Sequence, residues 1–288
     1  MNENPVATVE EIITLSSGCV LEPWFAAALR HPFSKQTLTK NECHTLDGIL
    51  DFRLELRDAQ VWKSGQAAYE AWADEQIRLS TIELFQREVS GVRPVYDTFP
   101  IKGACRDVGG LDGRVRTFMA PEQRYACVDP YLSAISDINL QPNLTAVYPE
   151  LTRPVNFVCG VAEHLPIADR VFDTVHMRSV IDHMYEPERA LSESGRVLKP
   201  DGQIIVGVSV EGGERGILSM KERAREMLRF VLVTIGFEKY RDHHVWHPTW
   251  PALKQMIENA GFTCVEHIGR MPASSMCVHS RVARQHMR

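Results

Sequence analysis

Ala104-Cys-Arg-Asp-Val-Gly-Gly-Leu-Asp-Gly-Arg114 is the stretch on which the reading of this chain turns. A strand-like run leads to Asp107, then to Gly109, Gly110 and Gly113, then into a helix candidate over 113–120. Glycine lacks a Cβ, so the backbone can turn tightly and approach a ligand closely. In an open α/β sheet, ligands bind at the carboxyl ends of the strands. Sixteen residues beyond Gly113, the strand candidate Tyr125–Val128 ends at Asp129. A carboxylate there can accept hydrogen bonds from both ribose hydroxyls of an adenosine. Alone, such a turn is a weak signal, because glycine-rich turns also occur as plain strand-to-helix connectors. The dinucleotide fingerprint G-x-G-x-x-G fits poorly: Gly110 and Gly113 can serve as its last two glycines, but Val108 holds the first position. No G-K-[ST] follows, so a P-loop is excluded.

Outward from this turn, strand-like and helix-like segments alternate. Strands are expected at 104–108, 125–128, 155–159, 174–177, 203–208, 263–268 and 276–282, and helices at 113–120, 187–198 and 249–260. Alternation of this kind predicts a doubly wound α/β fold with a mostly parallel, seven-stranded sheet. The short, Pro272-containing loop between the last two strands cannot hold a crossover helix, so the last strand is expected to be antiparallel. A nicotinamide-binding domain is usually all parallel, and that reading is disfavoured.

Upstream, residues 66–100 form a lid or linker unit, with a long helix expected over 66–89 that packs on the core or covers the cleft. Residues 1–65 form a small α+β region, with short helical pieces at 9–15 and 23–29 and a hairpin turn at Asp47-Gly48. The main domain spans 101–288, with an insertion at 211–248. Within it, Met220, Ala224, Met227, Leu228, Val231, Leu232 and Ile235 recur at helical spacing. Core packing is the default for that face; an acceptor wall or an oligomer contact is the alternative.

Composition narrows the class. The chain has 288 residues, is 44% hydrophobic and 24% charged, and carries a net charge of −5. That supports one large core and no general nucleic-acid footprint. Arg281, Arg284 and Arg288 read as a frayed basic tail. Seven widely spaced cysteines with no C-x-x-C pair suggest buried free thiols in a reducing compartment. No apolar run reaches membrane-spanning length, and Met1–Glu11 is not a secretory signal, so a cytoplasmic location is expected.

Several stretches occur in a telling order. Arg106-Asp-Val-Gly-Gly-Leu-Asp-Gly-Arg114 is followed by Asp129, then by Gly160-Val-Ala-Glu-His-Leu-Pro166 and Phe172-Asp-Thr-Val-His-Met-Arg-Ser-Val-Ile-Asp-His183. Arg196-Val-Leu-Lys-Pro-Asp-Gly202 and Asn259-Ala-Gly-Phe262 complete the series. Over about residues 102–268 this series resembles the class I S-adenosylmethionine-dependent methyltransferases. The resemblance implies S-adenosylmethionine as cofactor. It places Asp107, Gly109, Gly110 and Gly113 in the D-x-G-x-G-x-G turn and Asp129 on the ribose. It puts Ala162 and Glu163 beside the adenine, and Arg178 in the cofactor-binding segment after the fourth strand. The sequence departs from the pattern at Leu111, where the middle glycine is usual, and at Val161, where an aspartate is usual.

Residues 29–52 also resemble, more faintly, a small zinc-ribbon-like methyltransferase-activating domain. Its metal cysteines are missing: His31 and Ser34 stand where the first pair would be, and Cys43 alone remains nearby. A metal-free relic, packed on the catalytic domain or on a partner, is expected.

Methyl transfer to oxygen needs alignment and a base, and histidine suits the second task near neutral pH. His183, beyond the fourth strand, is one candidate, with a structural role as the alternative. His243 and His244, in Asp242-His-His-Val-Trp-His247, are the others, with a polar cleft-covering loop as the alternative. A zinc site from His243, His244 and His247 has poor spacing, so no metal is expected. The resulting expectation is O-methylation of a hydroxylated small molecule such as a sugar or a natural-product intermediate. The competing expectation is a catalytically silent, partner-binding subunit. A homo-oligomer is possible on either reading.

Overall fold

The structure is a computed structural model that describes residues 19–53, 60–110, 113–132, 141–237, 244–270 and 276–284. Leu111, Asp112, Asp242, His243, Arg288 and the helical piece expected at 9–15 lie outside the described residues.

One sheet of eight strands organises the fold. Its strands are β1 (Cys19–Val20), β4 (Cys105–Val108), β5 (Tyr125–Asp129), β6 (Val155–Cys159), β7 (Phe172–Arg178), β8 (Leu198–Val210), β9 (Phe262–Arg270) and β10 (Met276–Arg284), in the order β1-β6-β5-β4-β7-β8-β10-β9. The central strands β4, β5 and β6 are buried along their whole length, as strands covered on both faces must be. β10 runs antiparallel to both β8 and β9, as the short preceding loop requires, and the other pairs are parallel. The expected sheet is present and gains β1 as an edge, too short to leave a periodic pattern. Arg281 and Arg284 belong to β10, which is paired on both sides. The frayed-tail expectation therefore fails for these two residues.

The helices are α1 (Pro23–Ala26), α2 (Gln60–Leu79), α3 (Ile82–Thr98), α4 (Pro142–Val147), α5 (Pro187–Val197), α6 (Met220–Thr234) and α7 (Trp250–Asn259). The single helix expected over 66–89 is two, because Thr81 is extended and its Oγ1 accepts from Leu84 N–H at 3.4 Å, capping α3. The helix expected over 113–120 is only a five-residue 3₁₀ turn, Arg114–Phe118, entered from Gly113 in the left-handed region. α6 departs most from expectation. Its capping box, Ser219 with Glu222, starts it well, yet it buries no residue. Met220, Met227, Leu228 and Val231 face outward, so the core-packing default for this face does not hold.

Residues 19–53 share the main core. The two-stranded hairpin β2 (Thr45–Leu46) and β3 (Ile49–Leu50) turns at Asp47-Gly48, both at positive φ. Phe25, Leu29, Leu38, Leu50 and Phe52 are buried with Val128, Val158 and Ile167. Phe52 N–H donates to the Cys159 carbonyl at 2.9 Å, running this region along the carboxyl end of β6. Cys105, Cys127 and Cys159 are buried free thiols. No helix among the described residues is long and apolar enough to cross a membrane.

Candidate active site

At the carboxyl ends of β4 and β7, under α2 and α3, lies a cleft of 220 Å³. Asp107, Gly109 and Gly110 line it from the end of β4 and the turn after it, and Arg178, Ser179 and Val180 from the end of β7 and the turn after it. Tyr69, Glu88 and Tyr96 line it from the helices. The two glycines are needed by contact and not only by conformation. Gly109 has φ 60°, and a Cβ there would stand 2.4 Å from Val180 Cγ1. At Gly110 a Cβ would stand 2.3 Å from Asp107 Oδ2. Ser179, at φ 55°, holds a conformation uncommon for a non-glycine residue. Its N–H donates to the Gly207 carbonyl at 2.6 Å.

Asp107 anchors a buried chain of four side chains. Tyr125 donates its hydroxyl to Oδ2 at 2.8 Å, and His176 Nδ1 lies 2.7 Å from Oδ1. Tyr96 Oη is 2.9 Å from His176 Nε2. Burial pushes both tyrosine hydroxyls well up, so both stay protonated. One hydrogen-bond arrangement joins every member: Tyr125 and His176 Nδ1–H donate to Asp107, and Tyr96 donates to His176 Nε2, a tautomer assigned from the network. Both Asp107 oxygens thus have protein partners, and the acid's first effect is to fix the glycine turn.

At the cleft mouth, Glu88 sits between two guanidinium groups, 2.9 Å from Arg114 and 3.5 Å from Arg178. Asp129 ends β5 and accepts from Tyr131 N–H at 2.8 Å. The Tyr131 hydroxyl reaches Asp74 of α2. Arg53, paired with Asp51, donates to the Pro130 carbonyl at 2.7 Å. The small N-terminal region thereby buttresses the segment that follows Asp129. Ala162 lies in the core. Glu163 Oε1 accepts from the N–H groups of Tyr185 and Glu186 at 3.1 and 3.4 Å, ahead of α5. Burial pushes the Glu163 carboxyl up, against those backbone donors. Of the expected cofactor residues, Asp107, Gly109, Gly110 and Arg178 line this cleft, whereas Gly113, Asp129, Ala162 and Glu163 do not.

Two of the three histidine candidates meet. The His183 and His244 rings lie 4.5 Å apart between centroids, and His244 Nε2 is 3.6 Å from Asp182 Oδ2. Tyr69, which also lines the cleft, packs on His183 at 4.9 Å. Three backbone-directed bonds pin the two segments together: Val245 and Trp246 N–H both donate to the Asp182 carbonyl, and Trp246 Nε1 to the Ile181 carbonyl. His247 lies behind His244, with Nδ1 3.5 Å from Glu211. The sequence reading sets Asp182 beside His183 and Tyr69 on a lid helix, but passes over Glu88, Tyr96 and His176. Buried polar residues inside apolar strands, such as His176 in β7, are the one signal that could have raised any of them.

Known proteins resemble this chain in sequence over its central part and in fold. Residues 106–206 match a family model described as a methyltransferase domain. The chain is 27% identical over 207 residues to the ubiquinone/menaquinone biosynthesis C-methyltransferase UbiE of Ralstonia pickettii, covering 68% of this chain and 79% of that one. It is 35% identical over 134 residues to the UbiE of Methylobacterium nodulans, covering 44% and 52%. Among solved structures, it superposes with a TM-score of 0.50 and 14% identity on a chain from the complex between the Haloferax volcanii Trm112 methyltransferase activator and a methyltransferase, covering 78% and 99%. That likeness is one of fold.

Proposed function

We propose that this chain, an S-adenosylmethionine-dependent methyltransferase, transfers the methyl group to an oxygen of a hydroxylated small molecule. The observation that carries the reading is the adjacency of two groups around Tyr69: the glycine-lined cleft on one side and the Asp182–His183–His244 cluster on the other.

The cleft suits the cofactor. Gly109 and Gly110 admit a ligand against bare backbone, and Arg114, Arg178 and Glu88 present both charges to a zwitterionic amino-acid moiety. Asp129, at the end of β5, would take the ribose hydroxyls. S-adenosylmethionine brings a methyl carbon already activated by a sulfonium. The protein's own work is to align the acceptor, exclude water and remove its proton. Alignment alone is worth about 7–11 kcal/mol in favourable cases. The hydroxyl proton is removed at the Asp182–His183–His244 cluster, beside which the acceptor enters. A second reading is favoured by the relatives' names, which specify C-methylation: on a phenolic acceptor the carbon would be the ring carbon beside the hydroxyl. It uses the same cluster, because ionising the hydroxyl makes that carbon nucleophilic.

Calorimetry with S-adenosylmethionine and S-adenosylhomocysteine tests the cofactor assignment. Absence of heat at millimolar ligand would overturn it in favour of a silent, partner-binding subunit. Turnover of hydroxylated acceptors with ¹³C-methyl-labelled cofactor separates the two reactions, since O-methyl and C-methyl carbons resonate in different regions.

A further inference from the structure

We propose that Asp182, His183 and His244 bind a divalent transition cation at the rim of the cleft, and that this cation receives the acceptor's hydroxyl oxygen. The inference deepens the functional reading above and rests on it for the identity of the acceptor group.

The three side chains can each bring one ligand atom to within 4.8 Å of the other two. Ligand atoms around one such cation, each at about 2.1 Å, stand about 3–3.5 Å apart. The Asp182–His244 pair is already at 3.6 Å. His244 is 42% exposed, so its ring has room to close the rest. Two imidazoles with one carboxylate select a zinc-like or iron-like ion over magnesium or calcium, and they leave coordination positions open.

The second observation is independent of this spacing. Asp182 is 91% buried by side-chain area, the complement of its 9% exposure, and its Oδ1 has no hydrogen-bond partner. A buried carboxylate oxygen without a donor is costly, and a cation supplies what the protein does not. The site is also built. The carbonyls of Ile181 and Asp182 tie the 244–246 segment in place, so the ligands from two distant segments are held before any ion arrives. His247 with Glu211 stands behind His244 as an orienting pair. A cation bound there would take the acceptor's oxygen as a further ligand and release the hydroxyl proton to solvent, leaving the oxygen electron pair free to attack.

The test uses the full-length chain, stripped with chelator and titrated with Co²⁺ and Zn²⁺. One equivalent should bind, with Co²⁺ giving visible absorption. Asp182→Asn and His244→Ala should each weaken binding at least tenfold, while His267→Ala, outside the cluster, should not. Unchanged S-adenosylhomocysteine affinity certifies that the variants are folded. Absence of saturable Co²⁺ binding, or binding undiminished in the Asp182→Asn/His244→Ala double variant, overturns the site. If Co²⁺ binds but chelator leaves kcat and the acceptor KM unchanged, the role assigned to the ion fails. In both cases continued methyl transfer leaves the functional reading standing.

Discussion

A methyl group added at Gly110 would land on Asp107, 2.3 Å from its Oδ2, and Asp107 cannot retreat because Tyr125 and His176 hold both its oxygens. Gly110→Ala should therefore destabilise the fold by about 1–3 kcal/mol, as overpacking does, and weaken S-adenosylhomocysteine binding as well. Urea unfolding and calorimetry on the same preparation read both. Tyr125→Phe removes one donor from a buried carboxylate and should cost about 1–3 kcal/mol. Arg106 is the opposite case. It is fully buried in β4, and its three guanidinium nitrogens lack hydrogen-bond partners. Burial pulls its pKa down to about 9. Replacing it with a well-packed apolar residue, as in Arg106→Met, should raise stability by about 1–4 kcal/mol. An unfolding midpoint below wild type would show that the charge is supported after all.

Between the elements, Glu193 of α5 is the main polar fastener. It accepts from Lys35 Nζ at 2.6 Å, from Leu165 N–H at 2.9 Å and from Arg196. Burial alone would push its carboxyl up, but the hydrogen bonds from Arg196 and Lys35 outweigh it and hold the carboxyl below the usual carboxylate range. A carboxyl depressed on folding binds fewer protons folded than unfolded once the pH falls below the unfolded value of 4.5. Its contribution is therefore complete above about pH 4.5 and is lost as the pH drops through the folded value. Glu193→Gln should cost roughly 1–3 kcal/mol at pH 7 and progressively less below about pH 4.5, read as a converging pair of unfolding midpoints.

The elements themselves were mostly legible in the sequence. Strands covered on both faces are rich in apolar residues, though β4 also carries Arg106 and Asp107, and Thr249 and Pro187 announced where helices begin. α6 was misread because helical periodicity reports that a face is apolar, not that anything lies against it. The site was legible only in part. Asp107 to Gly113 is contiguous and could be quoted as a motif, whereas Asp182 and His244 are 62 positions apart and meet only through the fold.

At the scale of the molecule, residues 19–53 and the sheet stand or fall together. Phe25 and Phe52 are buried in the same cluster as Val128 and Ile167. Phe25→Ala should cost about 3–5 kcal/mol and move a single unfolding transition, with no separate early step for the N-terminal region. Two resolved transitions in calorimetry would contradict that shared core. The order of the sheet carries a further consequence. β10 lies between β8 and β9, pairing with both, yet it follows both in the sequence. During synthesis, β8 and β9 leave the ribosome before the strand that joins them exists. The long edge of β8 then waits uncovered. A nascent chain that has not yet delivered Met276–Arg284 therefore presents an unpaired strand edge, a template for wrong pairing until β10 arrives.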